Sequence, residues 1–166
     1  MRFRVTLEID HPIGAVKRAY GQRNFFLKRY AELGYSNVQL RDDGGDGERS
    51  YRIAFRAAQK VDLPAFAAKI LGETQQLEQE EHWNLAAGTG RIVTKPRSAP
   101  ISIQADVRMV AAGDATRLEM DWEVKAKLPL IGGKIESLAA DEIRARMPRD
   151  AELSNRLIGA LADPDR

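Results

Sequence analysis

The side chains in this chain that could do chemistry are concentrated between positions 77 and 85, where Leu77, Gln79, Glu81, Trp83 and Leu85 recur at every second residue. On a strand that spacing puts all of them on one face, so an inward Trp83 carries Gln79 and Glu81 inward with it. A carboxyl group in an apolar cavity can act as a general acid, a general base or an anchor for a ligand's polar atoms. The same run is rich in Glu and Gln, which suits a strand at a rim, and there we expect Glu81 to be solvated. The opposite face holds Glu78, Glu80 and His82, residue types that ligate metals. It reads as a solvated face, because no second histidine is placed near His82.

Other motifs are weaker. Gly132-Gly133-Lys134 has the look of a phosphate loop, but Leu128 stands where Gly is needed and Ile135 where Ser or Thr is needed. These glycines read instead as the entry to a helix that begins against the sheet. Gly44-Gly45-Asp46-Gly47 fails the dinucleotide spacing and reads as a hairpin turn. No serine sits in a nucleophile elbow. Lys17, Arg18, Arg23, Lys28 and Arg29, with Phe25, Phe26 and Tyr30 between them, could touch an anionic membrane surface transiently while the aromatics guard a portal. A solvated amphipathic face is the simpler expectation. Arg52, Arg56 and Arg108 read the same way on outward strand positions.

Composition narrows the field. In 166 residues, 43% are hydrophobic and 30% charged, which fits one folded domain spanning 1–166. The net charge of +2 makes no case for a nucleic-acid partner. With no cysteine, thiolate nucleophiles, disulfides and cysteine-ligated metals are excluded. No apolar run is long enough for a membrane helix and none opens the chain as a signal peptide, so the expected location is cytoplasmic. No cofactor is indicated.

The elements that must position these residues follow from periodicity and punctuation. Phe3, Val5, Leu7 and Ile9 alternate with polar residues as a half-buried strand, stopped by Asp10-His11-Pro12. A helical pattern runs from Ile13 to Leu33, split at Gly21. Strands follow through Val38 and Leu40, then through Tyr51, Ile53, Phe55 and Ala57. A short helix lies between Pro64 and Gly72. Further strands occupy Thr74 to Leu85 and Arg91 to Lys95. Two more carry Ile101, Ile103, Ala105, Val107 and Met109, then Leu118, Met120, Trp122, Val124 and Ala126. Beyond Gly133 a long helix carries Ile135, Leu138, Ala139 and Ile143 on one stripe, with Pro148 expected to kink or interrupt it. The sum is an α+β fold with a seven-stranded antiparallel sheet. At about 4.8 Å per strand the sheet spans roughly 30 Å, which a helix of about 30 residues can cross.

Several stretches narrow this order further. They are the strand ending at Asp10-His11-Pro12, the Tyr30 to Gly34 helix end, Leu63-Pro64, Trp83 in mid-strand, and Leu128-Pro129-Leu130-Ile131-Gly132-Gly133-Lys134-Ile135-Glu136. With them the chain resembles the START-like helix-grip superfamily of the major birch-pollen allergen and the polyketide cyclases. Within it, the sequence looks like the bacterial family catalogued as domain of unknown function 2505. The resemblance implies a curved sheet wrapped around a long C-terminal helix, with two short helices after the first strand and a hydrophobic cavity.

On that reading, Tyr51, Ile53, Phe55, Trp83, Val107, Met109, Met120 and Trp122 line the sheet side of a ligand cavity, and Ile135, Leu138 and Ile143 the helix side. The small residues Ala57, Ala105 and Ala126 leave room, and Glu81 or Tyr51 fixes the ligand's orientation. The expected function is binding or carriage of a lipid or other hydrophobic small molecule. The alternatives are a cyclase or dehydratase using Glu81, His82 or Tyr51, and a protein-interaction module using the convex sheet face or the basic helices.

Overall fold

The computed structural model describes residues 1–162. Strand β1 (Arg2–Ile9) is followed by helices α1 (Ile13–Ala19) and α2 (Arg23–Glu32). Then come β2 (Tyr35–Gly44), β3 (Ser50–Lys60), the short helix α3 (Ala65–Leu71), β4 (Thr74–Asn84), β5 (Thr89–Pro96), β6 (Ile101–Ala112) and β7 (Ala115–Ala126). Helix α4 (Gly132–Ala162) closes the chain. The strands form one antiparallel sheet in the order β1-β7-β6-β5-β4-β3-β2. Since β1 and β2 are opposite edges, the α1–α2 link between them must bridge the sheet from edge to edge. Among the described residues no helix is long and apolar enough to cross a membrane.

Local rules account for the elements. In β3, Tyr51, Ile53, Phe55 and Ala57 are buried while Arg52 and Arg56 point outward. Pro12 and Pro64 precede α1 and α3, where the fixed φ of proline suits a helix start. At Gly132 an added Cβ would fall 2.6 Å from the Ala126 carbonyl oxygen, so only glycine lets α4 begin against the end of β7. The edge strand β2 is irregular, with register shifts against β3 and a left-handed φ of 51° at Asn37. Such irregularity discourages pairing with another chain at that edge.

Helix α4 runs unbroken through Pro148. Proline lacks the N–H that would pair with the Arg144 carbonyl. Both residues lie on the exposed face of α4, where water can take that carbonyl, so the helix continues.

The interior has two unlike halves. Toward α1 and α2, aromatic rings fill the bowl: Tyr20 lies 4.5 Å from Trp83, Tyr30 4.2 Å from Phe55, and Phe26 stacks on Tyr51 at 5.6 Å. Toward the start of α4 the packing loosens. Over its length α4 approaches β1 and β7 closely, whereas the backbones of β3 to β6 stand away from it.

Candidate functional site

The loosened half contains two adjoining hollows. The outer lobe, about 110 Å³, lies between β3–β6, α3 and the first turns of α4. Its walls are mainly apolar, with Leu63, Leu77, Ile103, Ile135, Leu138 and Ala139 prominent. Helix α3 is fixed as one wall because Gln75 Nε2 donates to the carbonyls of Leu71 (2.6 Å) and Gly72 (2.9 Å). The inner lobe, about 90 Å³, lies deeper, and Gln59, Thr94, Ile103, Ile143 and Arg146 border both lobes.

The inner lobe is bordered by buried polar groups as well as apolar ones. On its sheet side Glu81, 1% exposed, accepts hydrogen bonds at Oε1 from Tyr30 Oη (3.0 Å) and Gln79 Nε2 (2.8 Å). Its Oε2 accepts from Trp83 Nε1 at 3.0 Å. Thr94 Oγ1 in turn donates to Gln79 Oε1 at 3.2 Å. The indole of Trp83 reaches this position because its cross-strand partner is Gly90, where a Cβ would lie 2.3 Å from the ring.

On the helix side Arg29 of α2 and Asp150 of α4, 5% and 2% exposed, form a two-pronged ion pair at 2.7 and 2.8 Å. Ser154 Oγ also donates to Asp150, at 3.1 Å. Burial alone would raise the Asp150 carboxyl. The Arg29 charge and the hydrogen bonds from Arg29 and Ser154 outweigh it and hold the group below the usual carboxylate range. Burial likewise opposes the charged form of Arg29, but Asp150 keeps the guanidinium protonated. Burial, together with the neighbouring Glu81 charge, pushes the Tyr30 phenol well up. Tyr35 is also raised by burial, and it accepts from Arg146 Nη1 at 3.3 Å. Gln59, with its amide oxygen turned toward Arg146, accepts at 2.9 and 3.2 Å.

The structure divides the cavity residues named from sequence. Glu81, Met120 and Trp122 border the inner lobe, Ile135 and Leu138 the outer lobe, and Ile143 both. Tyr51, Ile53, Phe55, Trp83, Val107 and Met109 border neither lobe. They belong to the packed core, much of it filled by the α1 and α2 aromatics. Ala57 and Ala105 are buried and border neither lobe, although their cross-strand neighbours Leu77, Ile92 and Trp122 do. Tyr51 instead donates to Asp43 at 3.1 Å, and burial plus that bond push its phenol up to about 12.

Two expectations of solvation are corrected. Glu81 is buried, because Tyr30 and Gln79 supply donors that replace water. Arg29 is buried too, because Asp150 neutralises it. Phe25, Phe26 and Tyr30 are core residues and guard no portal. The expected outer face holds for Glu78, Glu80 and His82. There Arg52, Arg56 and Arg108 pair with Asp42, Glu78 and Glu119. A broad furrow on that face, bordered by Arg52, His82, Arg91 and Arg108, is open rather than enclosed. The Arg29–Asp150 pair was missed from sequence, although Asp150 sits on the stripe Ile143, Met147, Asp150, Ser154, Leu157 at helical spacing.

Solved structures share this architecture at low identity. A protein from Thermus thermophilus, TTHA0849, superposes with a TM-score of 0.67 at 14% identity, covering 98% of this chain and all of that one (100%). The Zhui aromatase/cyclase from Streptomyces sp. R1128 gives 0.56 at 11%, covering 100% and 96%. Norcoclaurine synthase from Thalictrum flavum, in complex with dopamine and hydroxybenzaldehyde, gives 0.57 at 12%, covering 95% and 86%. The fold is therefore the helix-grip fold. No curated protein matches the sequence. A family model described as "Protein of unknown function (DUF2505)" matches residues 4–158, nearly the whole chain, and the chain belongs to that family.

Proposed function

We propose that this protein binds a small hydrophobic molecule in the two-lobed hollow beneath the first half of α4. The observation that carries this reading is the apolar outer lobe. A guest that fills it takes these apolar walls out of water and buries its own apolar surface, at about 25 cal/mol per Å². Size restricts the guest. Both lobes fall well short of the roughly 300–1,000 Å³ typical of sites for drug-sized ligands. A molecule of about one ring or a short branched chain fits as the protein stands, whereas a long acyl chain needs α3 and α4 to part.

Binding is better supported than catalysis. Of the three acid–base candidates, His82 is on the outer face, Tyr51 is bound to Asp43 away from the hollow, and both oxygens of Glu81 are already occupied by donors. An interaction module acting through the convex face is less supported, because the arginines there are paired. Isothermal titration with toluene tests the proposal: saturable one-to-one binding is expected, lost in Leu138→Trp, which fills the outer lobe. Absence of saturable binding by toluene, with the protein folded, refutes it.

A further inference from the structure

Exposed apolar side chains gather at one end of the molecule. Phe66, Ile70 and Leu130 are 43%, 48% and 103% exposed. Phe66 and Ile70 belong to α3, and Leu130 to the loop between β7 and α4. The two segments share packing: Ala67 and Leu71 form a buried cluster with Ile135, and Leu128 and Ile131 pack against it. Since Ala67 and Leu71 take the inward face of α3, Phe66 and Ile70, also four residues apart, share the strip beside it. Lys134 at the start of α4 holds its ammonium 6.0 Å from the centre of the Phe66 ring. Leu130 also has a left-handed φ of 67°, which a bulky residue rarely adopts. Glycine or asparagine would suit that backbone better, and a fully exposed leucine gains no burial in return. The stability of the chain alone gives no reason for a leucine there.

Charge and size decide what covers these side chains. Lys69, Lys127 and Lys134 are exposed on the same segments, and among the described residues Lys125 is the one lysine in an ion pair. Of the carboxylates on these segments, Glu136 is occupied by the Ala126 N–H at 3.0 Å and the Met1 ammonium at 3.4 Å, which leaves Asp62 and Glu73 against the three lysines. Surplus positive charge beside exposed apolar side chains complements an anionic lipid surface, where lysines meet headgroups and the apolar groups enter the acyl boundary. A protein partner would need roughly 800 Å² from this side, more than three side chains supply, whereas a bilayer needs no matching shape. Helices α1 and α2 lack the apolar half of such a site, because Phe25, Phe26 and Tyr30 are buried.

We propose that α3 and the β7–α4 loop dock on an anionic membrane surface, with Phe66, Ile70 and Leu130 inserted and Lys69, Lys127 and Lys134 on the headgroups. The same α3 and the first turns of α4 wall the outer lobe, so docking turns that lobe toward the bilayer, although it needs no ligand there. The test is co-sedimentation with vesicles of phosphatidylcholine and phosphatidylglycerol in equal parts. The wild type should bind them at least about tenfold more tightly than vesicles of phosphatidylcholine alone. Phe66→Gln/Ile70→Gln/Leu130→Asn alters exposed residues only, so it should melt like the wild type by circular dichroism and bind at least about tenfold more weakly. Lys127→Gln/Lys134→Gln should weaken binding roughly 25-fold, about fivefold per lysine. The charge-matched pair Arg18→Gln/Lys28→Gln, exposed on α1 and α2, should stay within about twofold of the wild type. Equal losses in the two charge pairs, or no loss in the apolar variant, would reduce the binding to adhesion by net charge and overturn the proposal. No binding by the wild type would overturn it too, and a dimer in sedimentation that the apolar variant abolishes would then assign the patch to a second copy. Toluene binding is read separately, so failure of docking leaves the hollow's proposed function standing.

Discussion

Filling the outer lobe from inside should make the protein more stable. Ala139, one helical turn before Ile143, faces that lobe and is only partly buried. Ala139→Leu adds three carbon atoms where the structure has space. At about 0.8 kcal/mol per buried methylene the gain approaches 2.4 kcal/mol. Fixing the leucine rotamer removes about 0.5–1 kcal/mol. The net is about 1.5–2 kcal/mol of added stability. For a chain of this size each kcal/mol moves the melting temperature by about 2–4 °C, so Tm should rise by roughly 3–8 °C. The assay is urea denaturation followed by circular dichroism, with m values compared to check that the denatured state is unchanged. Ala105→Leu is the internal control: Ala105 is fully buried and borders neither lobe, so the same added bulk should destabilise by about 1–3 kcal/mol. Ala139→Leu should also weaken toluene binding at least tenfold, since residue and ligand compete for the same space. A loss of 1 kcal/mol or more in Ala139→Leu at unchanged m would mean the lobe is not hollow, and the reasoning from cavity to ligand would fail.

The buried ion pair should show the asymmetry of such pairs. Asp150→Ala alone should destabilise by about 3–5 kcal/mol, because it strands Arg29, whereas Arg29→Met/Asp150→Leu should be near neutral; a double-mutant cycle by urea denaturation measures both. Because the Asp150 carboxyl is held below its ordinary value, its contribution is present at neutral pH and is lost as pH falls below about 4, so the double variant should have a shallower acid limb of stability against pH. The phenols give the opposite limb. Tyr20, Tyr30, Tyr35 and Tyr51 are all raised, so none should ionise near pH 10 in the native state, and phenolate absorbance should appear only as the protein unfolds or as pH nears 12.

Much of the fold was legible in the chain because sheet and helix periods differ. The alternation in β3, β6 and β7 is strict, and proline and glycine sit at the helix ends. Periodicity and short turns carried the element order and the antiparallel sheet, and the resemblance seen in five stretches, the 128–136 junction among them, implied the curved sheet around α4. The site was legible only in part. Parity placed Glu81 on the same face as Trp83, yet the surrounding glutamates argued for solvent. The donor that reverses this, Tyr30, is separated from Glu81 by 51 positions and no local pattern connects them. Arg29 and Asp150 are 121 positions apart, and each reads as an ordinary surface charge without the other. The hollow was expected where the small residues Ala57, Ala105 and Ala126 leave room. None of the three borders either lobe, and aromatics from α1 and α2 occupy much of the bowl. Where a cavity falls depends on how elements dock, and residue sizes along one strand do not encode that. Pro148 shows the same limit: its effect depended on which face of α4 it occupied.

The most direct measurement is a crystal of the protein held under xenon pressure. Xenon enters dry apolar cavities without needing any polar contact. Xenon density among Leu77, Ile103, Leu138 and Ile143, absent from crystals of Ala139→Leu, is the expected result. Ordered side chains meeting across that space, with no xenon site between α4 and β3 to β6, would contradict the account.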